Sequence, residues 1–103
     1  LIVRGVNVFP SQIEEQILRD KRLAAIYQIH LNREGHMDSV EVHCELQPAA
    51  NPAEIQAIAK ELQHHIKTVI GISTHVKVMP ANSMQRTETG KARRVVDARP
   101  KQI

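Results

Sequence analysis

The chain has 103 residues, a single cysteine and a formal net charge of +3, enough for one domain with a buried core and too few thiols for an internal disulfide. No apolar run approaches the ~20 residues of a membrane span, so no membrane partner is expected, and a reducing cytoplasm suits the lone thiol. Phe9 and Tyr27 are its only aromatics, which argues against a sheet that stacks RNA bases.

Leu1 to Arg4 reads as a short apolar strand. The chain opens on it without an initiator methionine, and the expectation is the excised end of a longer protein. The following loop, Arg4-Gly-Val-Asn-Val-Phe9, is richer than a connector needs. Gly5 permits close approach of the backbone to a ligand, and Val6, Val8 and Phe9 are apolar where a plain joint would be polar, so the loop reads as functional. Ser11 and Glu14 stand as a Ser-x-x-Glu capping box at the head of a helix from Ser11 to Asp20, with Ile13, Ile17 and Leu18 on one face.

Residues Ala25 to Arg33 alternate, with Tyr27, Ile29 and Leu31 inward and Gln28, His30 and Asn32 outward. A turn at Gly35 to Asp38 leads to a second strand. There Val40, Val42, Cys44 and Leu46 alternate with Glu41, His43, Glu45 and Gln47. Asn51 caps a second helix and Pro52 takes its first position. Its apolar residues Ile55, Ile58, Ala59, Leu62, Ile66, Val69 and Ile70 keep a helical period, and Gly71 stops it. Thr74, Val76 and Val78 form a last core strand, closed by Pro80.

This order is βαββαβ, the split arrangement of a ferredoxin-like α+β fold. It predicts a four-stranded antiparallel sheet with two helices on one face over residues 1–80, and a basic tail over 81–103. The tail carries Arg86, Lys91, Arg93, Arg94, Arg99 and Lys101, a clustering that implies a polyanionic ligand such as a nucleotide, a coenzyme or a nucleic acid. Gly90-Lys91 on a polar loop offers amides and one mobile ammonium to a phosphate or carboxylate. It lacks the glycine spacing of a P-loop.

Together, Arg4-Gly-Val-Asn-Val-Phe-Pro-Ser-Gln-Ile-Glu14 and Gly90-Lys-Ala-Arg-Arg-Val-Val-Asp97 resemble the two signature regions of the C-terminal domain of adenylate-forming enzymes, most closely the phenylacetate–coenzyme A ligase branch. The resemblance covers essentially the whole chain. It implies a lid on a large N-terminal adenylation domain, which acts with ATP (and Mg2+), a small aryl acid and coenzyme A, and with no nucleic acid partner. Lys91 is implied as the adenylation lysine, presented beside Gly90. Gly5, Val6 and Asn7 are implied as lining the pantetheine tunnel, with Arg4 and the basic tail near the coenzyme's phosphates. The hinge and the nucleotide-contacting motif of that family lie upstream of Leu1, so this chain alone is expected to be inactive.

The remaining residues call for ordinary roles. Six histidines show no zinc-ligand spacing and read as surface groups, with His30 and His43 as cross-strand neighbours. Cys44 reads as a buried, inert thiol. Glu14 and Glu15 suit a helix N-terminus, while Met79 and Met84 pack the tail onto the domain. A second reading is a free-standing ferredoxin-like module that holds RNA or a small anion with its basic tail. The shortage of sheet aromatics weighs against it.

Overall fold

The computed structural model describes residues 2–84 and 95–99. The first strand does not enter the main sheet. Instead β1 (Ile2–Val3) folds back on β2 (Val6–Asn7) as a separate antiparallel hairpin, with Val3 opposite Val6. A two-residue hairpin loop favours positive φ at both central positions, and Arg4 and Gly5 supply 48° and 77°. Gly5 accepts this without strain, whereas Arg4 holds a conformation that side chains disfavour. Val3 and Val8 are buried and hook the hairpin onto the core.

Helix α1 spans Pro10–Arg19, one residue before the expected start at Ser11, and its N-cap lies two residues before the Ser11 that the capping-box pattern implies. Pro10 is the reason: its fixed φ suits the first helical position and its missing N–H costs nothing there. Phe9 becomes the N-cap, and its N–H donates to Gln12 Oε1 at 3.2 Å, so the Ser11–Glu14 box is not formed. Glu14 accepts instead from the Tyr27 hydroxyl at 3.0 Å. Ile13 and Ile17 face the core, but Leu18 is exposed.

The hairpin of β3 (Leu23–Glu34) and β4 (Met37–Leu46) follows the alternation closely. Tyr27, Ile29 and Leu31 are buried on β3, and Val40, Val42, Cys44 and Leu46 on β4. Asn51 Oδ1 accepts from Ala53 N–H at 3.0 Å, capping a short 3-10 turn at Pro52–Glu54. That turn runs into α2 (Ile55–Ile70), whose Ile58, Leu62 and Ile66 are buried. Gly71 ends the helix in the left-handed conformation at φ 91°, the cap that glycine favours. Val76 and Val78 then point inward from β5 (His75–Met79).

The sheet departs from a four-stranded antiparallel ferredoxin-like arrangement. Its order is β5-β4-β3-β6, where β6 is Val95–Asp97 from the basic tail. Only β3 and β4 are antiparallel; β5 runs parallel to β4, and β6 parallel to β3 with Ile29 opposite Val95. The helical crossover from β4 to β5 brings the chain back in the same direction, as crossovers between parallel strands do. The two-residue β1 is turned away by Arg4-Gly5, and a tail strand fills the edge it leaves. Both helices cover one face: α1 packs on β3, α2 on β5, and the helices touch each other. The fold is thus α+β with a mixed sheet.

Candidate functional site

The opening hairpin presents its turn to solvent. Arg4, Gly5 and Asn7 are exposed, and Val6 is half-buried against the core. Arg4 Nη2 donates to the Ser73 carbonyl at 2.6 Å, tying the turn to the loop between α2 and β5. A Cβ placed on Gly5 would meet no heavy atom within 4 Å, so one flank of the turn is open. Val8 belongs to the core and lines no passage, while Phe9 is 51% exposed. A small cleft beside the turn is bounded by Arg4, Ser39, Ser73 and Thr74. The buried Thr74 Oγ1 lacks a hydrogen-bond partner among the described residues.

Gly90 and Lys91 lie outside the described residues, as do Arg86, Arg93, Arg94 and Lys101. The flanks of that segment are described. On the upstream side the chain turns after Pro80 and crosses the outer face of the sheet. There the Met84 N–H donates to Glu45 Oε1 at 2.9 Å, and both residues are buried. Met84 therefore packs the tail onto the domain as its sequence position implies.

On the downstream side Arg99 is heavily engaged. Its Nε and Nη2 donate to the two Asp97 oxygens at 3.0 and 2.9 Å. Its Nη1 reaches Asp38 Oδ2 at 3.0 Å and the Ile2 carbonyl at 2.8 Å. Arg33 Nε holds the other Asp38 oxygen at 2.7 Å. The guanidinium of Arg33, then that of Arg99, keeps the Asp38 carboxyl below the usual carboxylate range. Arg99 does the same for Asp97, and its own pKa is raised in return. Asp38 and Asp97 thus already answer the charge of Arg99.

On the outer sheet face Gln28 is opposite His43 and His30 opposite Glu41. The two imidazoles therefore meet diagonally, with ring centroids 4.4 Å apart. His43 Nε2 pairs with Glu41 Oε1 at 2.6 Å, and Lys77 Nζ lies 3.1 Å from the same oxygen. Burial, then the neighbouring His43, lowers the pKa of His30. Among the described residues, no group of three or more His, Cys, Asp or Glu side chains is placed to hold a metal ion. Cys44 is buried, and desolvation pushes its thiol up to about 12; a thiol so protonated is a poor nucleophile.

A cleft of about 350 Å³ lies between the helices near Arg19, Asp20 and His65. Arg22 bridges it, pairing with Asp20 at 2.8 Å and Glu61 at 2.5 Å. It is a solvated ion-pair network with no reactive group at its centre. Size does not make it the site.

Sequence reasoning passed over Glu45 and Asp38. Glu45 occupies an outward position of an alternating strand, and nothing local reveals that the chain near Met84 covers it. Asp38 sits in a predicted turn, where an aspartate needs no further explanation.

No helix among the described residues is long and apolar enough to cross a membrane. The chain is 48% identical over 106 residues to the phenylacetate-coenzyme A ligase of Aromatoleum evansii, an alignment covering 99% of this chain and 24% of that protein. Its structure matches that of a domain of phenylacetate-coenzyme A ligase from Bacteroides vulgatus ATCC 8482 with a TM-score of 0.83 and 31% identity, covering 97% of this chain and 92% of the other. It also matches 2-hydroxyisobutyryl-CoA ligase, solved with 2-HIB-AMP and CoA in the thioesterification state. There the TM-score is 0.82 and the identity 31%, over 96% of this chain and 21% of that one. The chain thus spans about a quarter of the length of the curated relative. The model of the AMP-binding enzyme C-terminal domain matches residues 5–99, and the chain belongs to that family.

Proposed function

We propose that this chain is the lid of an ATP-dependent aryl acid–coenzyme A ligase acting on phenylacetate. In the first step the acid carboxylate attacks the α-phosphorus of ATP and pyrophosphate leaves, giving an acyl-adenylate. In the second, the coenzyme A thiol attacks the acyl carbon and AMP leaves, giving the thioester. A large N-terminal adenylation domain of the same polypeptide would hold ATP, with its Mg2+, and the acid.

The observation that carries this reading is the family match along residues 5–99 together with a phenylacetate-coenzyme A ligase relative at 48% identity. The roles divide between two loops. Lys91, presented by Gly90, neutralises charge that builds on the carboxylate and α-phosphate as they meet. The exposed Arg4–Asn7 turn serves the second step. Gly5 leaves its open flank for the pantetheine arm, Val6 and Asn7 border it, and Arg4 stands at the rim near the coenzyme's phosphates. One lid offers these loops in turn, by rotation between the half-reactions.

The experiment is Lys91→Ala in the full-length enzyme, with each half-reaction assayed alone. Losing a preorganised charge costs on the order of a hundred- to a thousandfold in rate, and that loss is expected in adenylate formation only. Thioester formation from preformed phenylacetyl-adenylate should proceed at the parent rate. Equal rates in both steps with the variant would end the assignment of Lys91.

A further inference from the structure

Glu45 is the one charged side chain in the buried set of the described residues, only 1% exposed. The alternation of β4 places it on the outer sheet face, the side of Glu41 and His43. Those two remain half-exposed, whereas Glu45 is roofed by the segment after Pro80. That segment reverses through Asn82 at φ 61°, with the Ser83 N–H donating to the Pro80 carbonyl at 3.3 Å. It then delivers the Met84 N–H to Glu45 Oε1 at 2.9 Å.

Burying a carboxylate is costly unless hydrogen bonds offset it. An apolar side chain would serve better if cover were all that this position needed. A charge-assisted bond to a main-chain N–H adds direction as well as attraction. It fixes the position and heading of the backbone at Met84.

We infer that Glu45 is a positioning residue for Lys91, holding the backbone seven residues upstream of that lysine through Met84. The inference rests on the reading of Lys91 as the adenylation lysine. The other end of the segment is held as well, by the pairing of β6 with β3 and by the Arg99 clamp on Asp97, Asp38 and the Ile2 carbonyl. The backbone is thus held at Met84 and again over Val95–Arg99, on either side of Lys91 in sequence.

The test uses the full-length enzyme with Glu45→Ala, Glu45→Gln and, alongside, Lys91→Ala, measuring both half-reactions. A misplacement of about 1 Å costs on the order of a hundredfold in rate. Glu45→Ala is therefore expected to slow adenylate formation by about ten- to a hundredfold, and to leave thioester formation at the parent rate. That second activity doubles as proof of folding. Glu45→Gln keeps an acceptor oxygen for the Met84 N–H and should recover most of the lost rate.

Should Glu45→Ala fail to fold, Glu45→Asp takes its place, because it keeps the charge and withdraws the oxygen from Met84. An equal fall in both half-reactions, or no fall in adenylation while Lys91→Ala collapses it, overturns the positioning role alone. A Lys91→Ala enzyme with normal adenylation overturns the lysine reading and this inference with it.

Discussion

Replacing Gly5 by alanine separates the backbone demands of the hairpin from its proposed service to coenzyme A. Gly5 sits at φ 77°, and a Cβ there meets nothing within 4 Å. The cost to the isolated lid is therefore conformational only, about 1–2 kcal/mol for an L-residue in the left-handed region. For a chain of this size, that lowers the melting temperature by about 4–8 °C per kcal/mol. Gly35 provides a matched control, since it lies at φ 60° with equally open surroundings but in a different turn, between β3 and β4. Both variants should melt lower by similar amounts. Only Gly5→Ala should disturb the chemistry. If the pantetheine arm passes along the open flank, a methyl group there overpacks the contact by about 1–3 kcal/mol, or about five- to 150-fold in rate at 1.36 kcal/mol per decade. Stopped-flow measurement of thioester formation from preformed adenylate reads this loss, while adenylate formation stays at the parent rate. Parent-rate thioester formation in Gly5→Ala would refute the tunnel assignment. A matching loss with Gly35→Ala would show that general loosening, and no local contact, governs the step.

Two further predictions concern titrating groups. Cys44, buried with its thiol pushed up to about 12, should resist iodoacetamide in the native chain at pH 8 and react fully once denatured; rapid native labelling would contradict the packing. His30 should titrate below the ordinary 6.5, because burial and then the adjacent His43 disfavour its charged form. Between the native and unfolded values the unfolded chain then binds more protons, so stability rises with pH across that window. The His30 contribution is complete above about 6.5, the unfolded value, and is lost as pH falls through the lower native one. NMR titration of the imidazole, together with denaturation of His30→Asn across the same range, checks both statements. A midpoint at or above 6.5, or a pH dependence unchanged by the substitution, would refute them.

Periodic elements were legible in the sequence because their signals are local. The alternation of Tyr27, Ile29 and Leu31 against Val42 and Cys44, and the spacing of Ile58, Leu62 and Ile66, each repeat often enough to name an element. The Asn51 cap and the Gly71 stop are equally local, since each acts within a few residues. Sheet topology was not legible in this way. Val95–Asp97 is too short to show a period, and its partner Ile29 is distant in sequence. The β1–β2 hairpin has two residues on each side, and only Gly5 betrays it. Pro10 shifted the helix start by a residue because it satisfies the first helical position better than Ser11 satisfies the cap. The Gly90-Lys91 loop was singled out by resemblance, and the local sequence alone offered a pair common to many surfaces. Glu45 was invisible as a buried group, since what covers it comes from a distant part of the chain.

The parallel pairing of Ile29 with Val95 bears on how the domain is made. Every other rung of the main sheet can form once Met79 has emerged from the ribosome, but the outer edge of β3 waits for residues near the end of this sequence. Until then Ile29 to Leu31 offer unpaired main-chain amides and carbonyls, the kind of edge that recruits a strand from another molecule. Closing a loop of this length is an entropic step that strands pairing with near neighbours avoid. Gln28, His30 and Asn32 put polar side chains on the outer face beside that edge.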